Sequence, residues 1–239
     1  MDTAQKHLLI PDKVDLEREA IATSWQEKIG SVIRIGKFWK KPELPEAASF
    51  AIYGNDTFGH VLAQLLNANL LSPKDDLIAY LSKDWTKRTI QQKTLSNKAS
   101  LSFPSFIKPI QPKLFKAAVY INSYEFERTT KGLTKDTGIL VSEIILIEAE
   151  ARVFTLNNKV IDLSIYEGQA DKKFAFDFAQ DFLDNHPNLF PKTFVLDLGF
   201  NQQQGWFVLE FNATWGAGLN GCQPENVIAA ISVATVVNL

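Results

Sequence analysis

Between Phe194 and Leu219 the chain reads FVLDLGFNQQQGWFVLEFNATWGAGL, two apolar runs around a polar turn. Asp197, Glu210 and Asn212 sit among large hydrophobic residues there. With QQQG (202–205) as the loop, Asn201 pairs with Trp206, Asp197 lies opposite Glu210, and Val195 lies opposite Asn212. Side chains alternate along a strand, so Asp197, Glu210 and Asn212 share one face. Phe194, Leu196, Leu198 and Phe200, with Phe207, Leu209 and Phe211, then line the other face as core. Two opposed carboxylates repel, so either one is protonated or a cation sits between them. Three oxygen-bearing side chains without Cys or His suit a hard ion such as Mg²⁺. That ion commonly keeps phosphate oxygens in its remaining positions, which points to a nucleotide. A hairpin with a merely solvated polar face shows the same alternation, and a one-residue slip would part Asp197 from Glu210.

Three other stretches carry charge at suggestive places. FIKPIQPK puts Lys108 at a strand end and Lys113 after a proline-bearing turn, where both could reach one anion. EAEARVF puts Glu148, Glu150 and Arg152 on one strand face, and KDWTKRTI offers Arg88. Each also has a plain reading as solvated surface charge or an exposed ion-pair ladder.

The elements that must position these groups follow from periodicity. Residues 14–29 read as an amphipathic helix, with strands at SVIRIG and SFAIYG. NDTFGHVLAQLLN starts a helix with Asn55 or Asp56 as N-cap. SPKDDLIAYLS reads as a short helix, and 85–100 as a basic, polar helix. LSFPSFIKPIQPKLFKAAVYI holds two short strands around a turn. GILVSEIILIE, ARVFTL and KVIDLSIY read as strands, with Asn157-Asn158 as a two-residue hairpin turn. KKFAFDFAQDFLDN is a helix whose Phe174, Phe178 and Phe182 form one stripe, expected to be core. PENVIAAISVATVV closes the chain as a helix with Pro224 in its first turn. The order is α/β-like in the first third and antiparallel with helices thereafter, with a boundary near 83–100.

Composition narrows the class. The chain has 239 residues, a formal net charge of -2, 46% hydrophobic and 22% charged residues, enough for one large domain or two small ones. The near-neutral balance gives no electrostatic reason for nucleic-acid or membrane-surface binding. No stretch approaches the ~18 consecutive apolar residues of a membrane span. MDTAQKHLLIPDK lacks the basic start and apolar run of a signal peptide. Cys222 is the only cysteine, so no internal disulfide or thiolate cluster forms, and the cytoplasm is the expected compartment. His7, His60 and His186 form no ligand-spaced pair.

Taken in order, Arg88, FPSFIKP…K, VSEIILIEAEARVF…NNKVIDLSIY and FVLDLG…GWFVLEFNATWGAGL resemble the ATP-grasp superfamily. In particular they resemble its clade named for one arginine and two lysines. The resemblance spans roughly residues 50–239, including YGNDTFGHVLAQLL. It implies an α+β ATP-grasp fold: a small α/β N-terminal domain (1–83), then an ATP-grasp domain (84–239). The latter divides into a lysine-bearing subdomain (84–141) and a metal-binding subdomain (142–239) that sandwich the nucleotide. It implies that Asp197, Glu210 and Asn212 hold Mg²⁺ between ATP phosphates and that Lys108 and Lys113 neutralise phosphate oxygens, with Arg88 as helper. Ser142, Glu143 and Ile144 would lie near the adenine. Glu150 would accept from the ribose hydroxyls or orient Arg152, and Arg152 would stabilise the transferring phosphoryl group. The glycines of WGAGL (215–219) would bring backbone N–H groups to an anion.

The implied activity is an ATP-dependent carboxylate–amine ligase that works through an acyl-phosphate and releases ADP and phosphate. Its substrates would be small-molecule or peptide carboxylates and amines, with Tyr166 and Trp215 as candidate pocket residues. The turn after Lys108, PIQPK, has prolines where many relatives have a glycine-rich flap. A MgATP-binding sensor or partner subunit without ligase activity is therefore the alternative. The acceptor substrate and the oligomeric state are not written in the motifs.

Overall fold

The structure, a computed structural model, describes residues 6–45 and 49–238. The opening MDTAQ of the signal-peptide reading lies outside them. The chain divides into two compact units, one of Met1–Pro73, Ala149–Leu198 and Phe211–Leu239, the other of Lys74–Glu148 and Gly199–Glu210.

The first unit begins with β1 (His7–Pro11), α1 (Leu16–Lys28), β2 (Val32–Ile35), β3 (Phe50–Ile52), α2 (Asp56–Leu65) and β4 (Ala68–Leu70). β1 lies between β2 and β3 in a parallel sheet. Its run HLLIP is apolar without alternation because both faces are covered. Leu8 and Ile10 join Trp25, Phe154, Val195 and Ile231 in one cluster, and Leu9 joins Phe50, Ile52, Phe58 and Leu62 in another. Asp15 caps α1, and Asn55 caps α2 by accepting from the Phe58 N–H at 3.0 Å.

The second unit carries α3 (Lys83–Thr86), β5 (Ile90–Thr94), β6 (Ser105–Pro109), β7 (Ala118–Tyr120), α4 (Ser123–Thr129) and β8 (Gly138–Ser142). Its strands form an antiparallel sheet in the order β5-β8-β6-β7. Phe126 anchors its core, with ring centroids 5.1 Å from Tyr120 and 5.9 Å from Phe115.

The chain continues with β9 (Ala149–Leu156), β10 (Lys159–Gly168), α5 (Lys172–Asn185), β11 (Thr193–Asn201), β12 (Gly205–Asn212), α6 (Pro224–Val233) and β13 (Thr235–Val237). A sheet of order β10-β9-β11-β12 results, and β13 pairs antiparallel with β4. Asn157 and Asn158 take φ of 49° and 61°, the left-handed pair that a two-residue turn between β9 and β10 requires. Gly205 takes φ of 74° just after the 202–204 loop. Residues 199–210, the far end of the β11–β12 hairpin, count with the second unit.

Several expectations are corrected. The 85–100 helix is instead the end of α3, then β5, then a 3-10 turn at Leu95–Ser100. Strand pairing with β8, from Ile90↔Ser142 to Thr94↔Gly138, overrides the polar composition. SPKDDLIAYLS gives only a 3-10 turn at Leu77–Tyr80. The GILVSEIILIE strand stops at Ser142, where the pairing of β8 with both β5 and β6 also ends. The closing helix stops at Val233, and the β-branched Thr235–Val237 forms β13. On α5 the buried face is Ala175, Ala179, Phe182 and Leu183, while Phe174 is 63% exposed. Two alanines let the helix lie closer to β10 than phenylalanines would. Nor does β11 have one core face: it is an inner strand, buried from Thr193 through Gly199 on both sides.

Candidate functional site

In the first unit the polar face of the hairpin is a connected network. Asp197 on β11 is 3% exposed. Arg152, on the adjacent strand β9, grips it bidentately: Nε donates to Oδ1 at 2.9 Å and Nη2 to Oδ2 at 2.7 Å. Asn212, on β12, donates from Nδ2 to Asp197 Oδ2 at 2.9 Å. Arg152 also donates from Nη1 to the Gly218 carbonyl at 2.9 Å. Its guanidinium carbon lies 5.9 Å from the centroid of the Tyr166 ring, and the Tyr166 hydroxyl donates to Glu150. Burial, then the bond to Glu150, pushes the Tyr166 phenol well above its usual range. A buried carboxylate must be paired or hydrogen-bonded, and Asp197 is both.

The second unit holds the other predicted groups. Lys108 on β6 reaches Glu210 at 3.3 Å, with side chains 24% and 46% exposed. Arg88, 9% exposed, donates to the carbonyls of Thr86 (2.9 Å), Val208 (3.0 Å) and Leu209 (3.4 Å) and to Ser142 Oγ (3.2 Å). Its guanidinium also lies 5.7 Å from the Phe207 ring centroid. Burial holds its pKa down at about 10. Among the described residues no carboxylate forms an ion pair with it. Glu143 accepts from the Thr89 N–H at 2.8 Å and from Lys83 at 3.1 Å, and these bonds, the backbone one first, hold its carboxyl below the usual range. Ile144, Leu146 and Ile147 that follow are exposed at the end of β8. Lys113 is exposed on the turn after β6, with φ of 67°.

The structure thus joins Arg152, Asp197 and Asn212 as one group, Glu150 with Tyr166 as its neighbours, Lys108 with Glu210 as a second, and Arg88 with Ser142 as a third. Amides of the 213–221 loop are largely used inside the protein. Those of Gly216 and Ala217 donate to the Ala213 carbonyl, and that of Leu219 donates to Glu17. Glu17 gave no signal in the sequence, because it lies 202 residues from its partner. Burial, then the field of Asp162, pushes the Cys222 thiol up to about 12, which favours its protonated form.

The donor chemistry around Asp197 fits a hard cation. Asp197 brings a carboxylate held in place by N–H bonds from Arg152 and Asn212, and the Asn212 amide brings a neutral oxygen, Oδ1. Among the described residues no group of three His, Cys, Asp or Glu side chains gathers as a metal site. A cation here would draw on amide and ligand oxygens as well as carboxylates. Among the described residues no helix is long and apolar enough to cross a membrane.

Comparison with known proteins identifies the fold and the family. No curated protein matches the sequence. Among solved structures, a RimK domain protein ATP-grasp from Sphaerobacter thermophilus is similar over 95% of this chain and 98% of its own, with 14% identity and a TM-score of 0.60. An L-amino acid ligase from Bacillus licheniformis is similar over 100% of this chain and 77% of its own, at 11% identity and a TM-score of 0.59. A D-alanine–D-alanine ligase from Bacillus anthracis, complexed with ATP, is similar over 96% and 93%, at 15% identity and a TM-score of 0.55. At such identities the likeness establishes the α+β ATP-grasp fold. The family model for the ATP-grasp domain of the one-arginine, two-lysine clade, its second family, matches residues 85–230. That range includes Arg88, both lysines, Arg152, Asp197, Glu210 and Asn212. With more than half the chain so matched, the protein belongs to the ATP-grasp family, in its clade of one arginine and two lysines.

Proposed function

We propose that the protein is an ATP-dependent carboxylate–amine ligase. The observation that carries this reading is the Arg152–Asp197–Asn212 group on three neighbouring strands, in a chain of the ATP-grasp family. ATP supplies a γ-phosphoryl group to a substrate carboxylate. ADP leaves, an amine attacks the carbonyl carbon of the acyl-phosphate, and phosphate departs. In such chemistry the protein contributes positioning and charge neutralisation, so no Ser-His-Asp arrangement is required.

We assign Asp197, Glu210 and Asn212 as the Mg²⁺ ligands and Lys108 and Lys113 as phosphate-neutralising cations. Arg88 is a buried positive charge that lacks a carboxylate counterion among the described residues, and an anionic ligand would supply one. Ser142, Glu143 and Ile144 border the adenine, where the exposed Ile144, Leu146 and Ile147 offer apolar surface. Glu150 meets the ribose, and Arg152 stabilises the transferring phosphoryl group. The functional division we infer is 1–83, 84–141 and 142–239. Amino acids or peptides are the substrate class, supported by the ligase names of the structural relatives. Residence in the cytoplasm is inferred from the lone, buried Cys222.

The test is Mg²⁺-dependent ADP release in pools of acids and amines, with hydroxylamine to trap the acyl-phosphate. Acid-stimulated ADP release and a hydroxamate product are expected. Tight MgATP binding with no hydroxamate from any acid would instead favour a sensor or partner subunit without ligase activity. The glycine-free turn Pro109–Lys113 is the observation on that side.

A further inference from the structure

We propose that Glu17, in the first turn of α1, is a positioning residue for Arg152 and acts through a single peptide group. The Gly218 carbonyl and the Leu219 N–H belong to the same peptide. The carbonyl accepts from Arg152 Nη1 at 2.9 Å, and the N–H donates to Glu17 Oε2 at 2.8 Å. Glu17 Oε1 accepts the next amide, that of Asn220, at 2.9 Å. An anion on the N–H side and a cation on the carbonyl side polarise the peptide in the same direction, so each bond strengthens the other. The line of contacts runs Glu17, peptide 218–219, Arg152, Asp197, Asn212, all within the first unit.

The role of this line is orientation. The fork made by Nε and Nη2 fixes the guanidinium along the edge of Asp197, and the Nη1 bond to Gly218 stops it from swinging about that edge. Gly218 is glycine for reasons of space: a Cβ there would sit 2.6 Å from Glu17 Oε2, and its φ lies outside the left-handed region. The loop has an independent anchor, since the Tyr53 hydroxyl donates to the Ala217 carbonyl at 2.7 Å. Loss of Glu17 is therefore expected to loosen the Gly218–Asn220 segment without unfolding it. The consequence for phosphoryl transfer rests on the assignment of Arg152 above, while the coupling itself does not.

The experiment is solvent exchange of the Arg152 Nε–H, read by ¹⁵N NMR on the full chain and assigned by its loss in Arg152→Lys. Glu17→Gln puts an amide N–H₂ against a backbone N–H and removes the charge. We expect exchange about tenfold faster, at temperatures where far-UV circular dichroism shows the fold intact. Gly218→Ala, which displaces Glu17 sterically and keeps its charge, is expected to do the same. Glu19→Gln, on the same helix but paired with Arg34, should leave the signal where it is. A purely structural Glu17 would lower the melting temperature and leave Arg152 exchange unmoved in both variants, and that result overturns the proposal. MgATP calorimetry on the unaltered chain runs alongside: no binding there removes the ligase reading, while accelerated exchange in the two variants still establishes the coupling.

Discussion

Arg152 and Arg88 are both largely buried guanidiniums, one in each compact unit, yet they are compensated in opposite ways. Arg152 meets a carboxylate in fork geometry, with a further contact on a backbone carbonyl. Arg88 meets three carbonyls, one hydroxyl and the face of Phe207, and among the described residues no carboxylate pairs with it. In the first arrangement the guanidinium charge is balanced within the protein. The second satisfies most hydrogen-bond donors but leaves the charge itself unbalanced, which is why burial alone lowers its pKa to about 10. A buried charge without a counter-charge among the described residues is costly, and the anion-binding role proposed for Arg88 rests on that cost. On the proposed assignment, Arg152 would serve the scaffold of the site as well as its chemistry, and Arg88 would be the group whose environment a phosphate improves.

The largest expected effect comes from breaking the complete pair. Asp197→Ala leaves the Arg152 guanidinium without its carboxylate and should cost about 3–5 kcal/mol in urea denaturation. The double variant Arg152→Met, Asp197→Leu should recover most of that loss and still fail to bind MgATP. If the double variant were as unstable as the single one, the pair would be a source of stability in its own right and the contrast with Arg88 would weaken.

Next in size is Arg88→Met. It strands the carbonyls of Thr86 and Val208 but also removes an uncompensated charge, so a net loss of about 1–3 kcal/mol is expected. The sharper readout is linkage. Saturating MgATP should raise the melting temperature of the unaltered chain and do so much less for Arg88→Met. Equal stabilisation of both would show that Arg88 is only a staple for β12.

These contrasts mark what can be read in the sequence. Local devices are legible: the Asn157-Asn158 turn, the Asn55 cap and Pro224 at the start of α6 each follow from a residue's own backbone chemistry. The two strands that present Asp197 and Asn212 are legible from the apolar runs on either side of a polar turn, although β11 is buried on both faces and the turn is 202–204, with Gly205 already in β12. The partners are not. Arg88 reaches a carbonyl 120 residues away, and Glu17 an amide 202 residues away. The phenylalanine stripe on α5 is right at Phe182, which is buried, and wrong at Phe174, which is exposed, because periodicity reports a helix but not which of its apolar arcs faces the sheet. The β5 and β13 segments mislead because pairing partners, not local composition, decide a short strand.

A smaller effect compares burial in the two units. Cys222 donates its thiol to the Arg152 carbonyl at 3.6 Å, and burial is the first cause of its raised pKa, as it is of the lowered pKa of Arg88. The folded thiol stays protonated up to about 12, while the unfolded thiol ionises near the ordinary 9.0. The folded state then holds more protons than the unfolded state across that window. Stability from this group is whole below pH 9 and falls as pH rises through the window, by ~1 kcal/mol at pH 10. Cys222→Ala should flatten that part of the pH–stability curve. An unchanged slope would place Cys222 in a wetter setting than Arg88.

The smallest effect on stability belongs to Lys108 and Glu210, a half-buried pair whose side chains are 24% and 46% exposed. Ion pairs that solvent still reaches contribute ~0–1 kcal/mol and are screened by salt, so Lys108→Ala should shift the urea midpoint little. Its effect on MgATP binding should nonetheless be large, because the lysine is assigned to a phosphate and Glu210 to the metal ion, so that their mutual contact would give way to the ligand. Calorimetry on Lys108→Ala at two salt concentrations separates the cases. Weakened MgATP binding with unchanged stability puts Lys108 beside Arg88 as a cation whose intended counterion is the ligand. Unchanged binding would put it beside Lys159 and Asp184, an ordinary surface pair, and would leave Arg88 and Lys113 as the cations of its unit proposed to meet the phosphates.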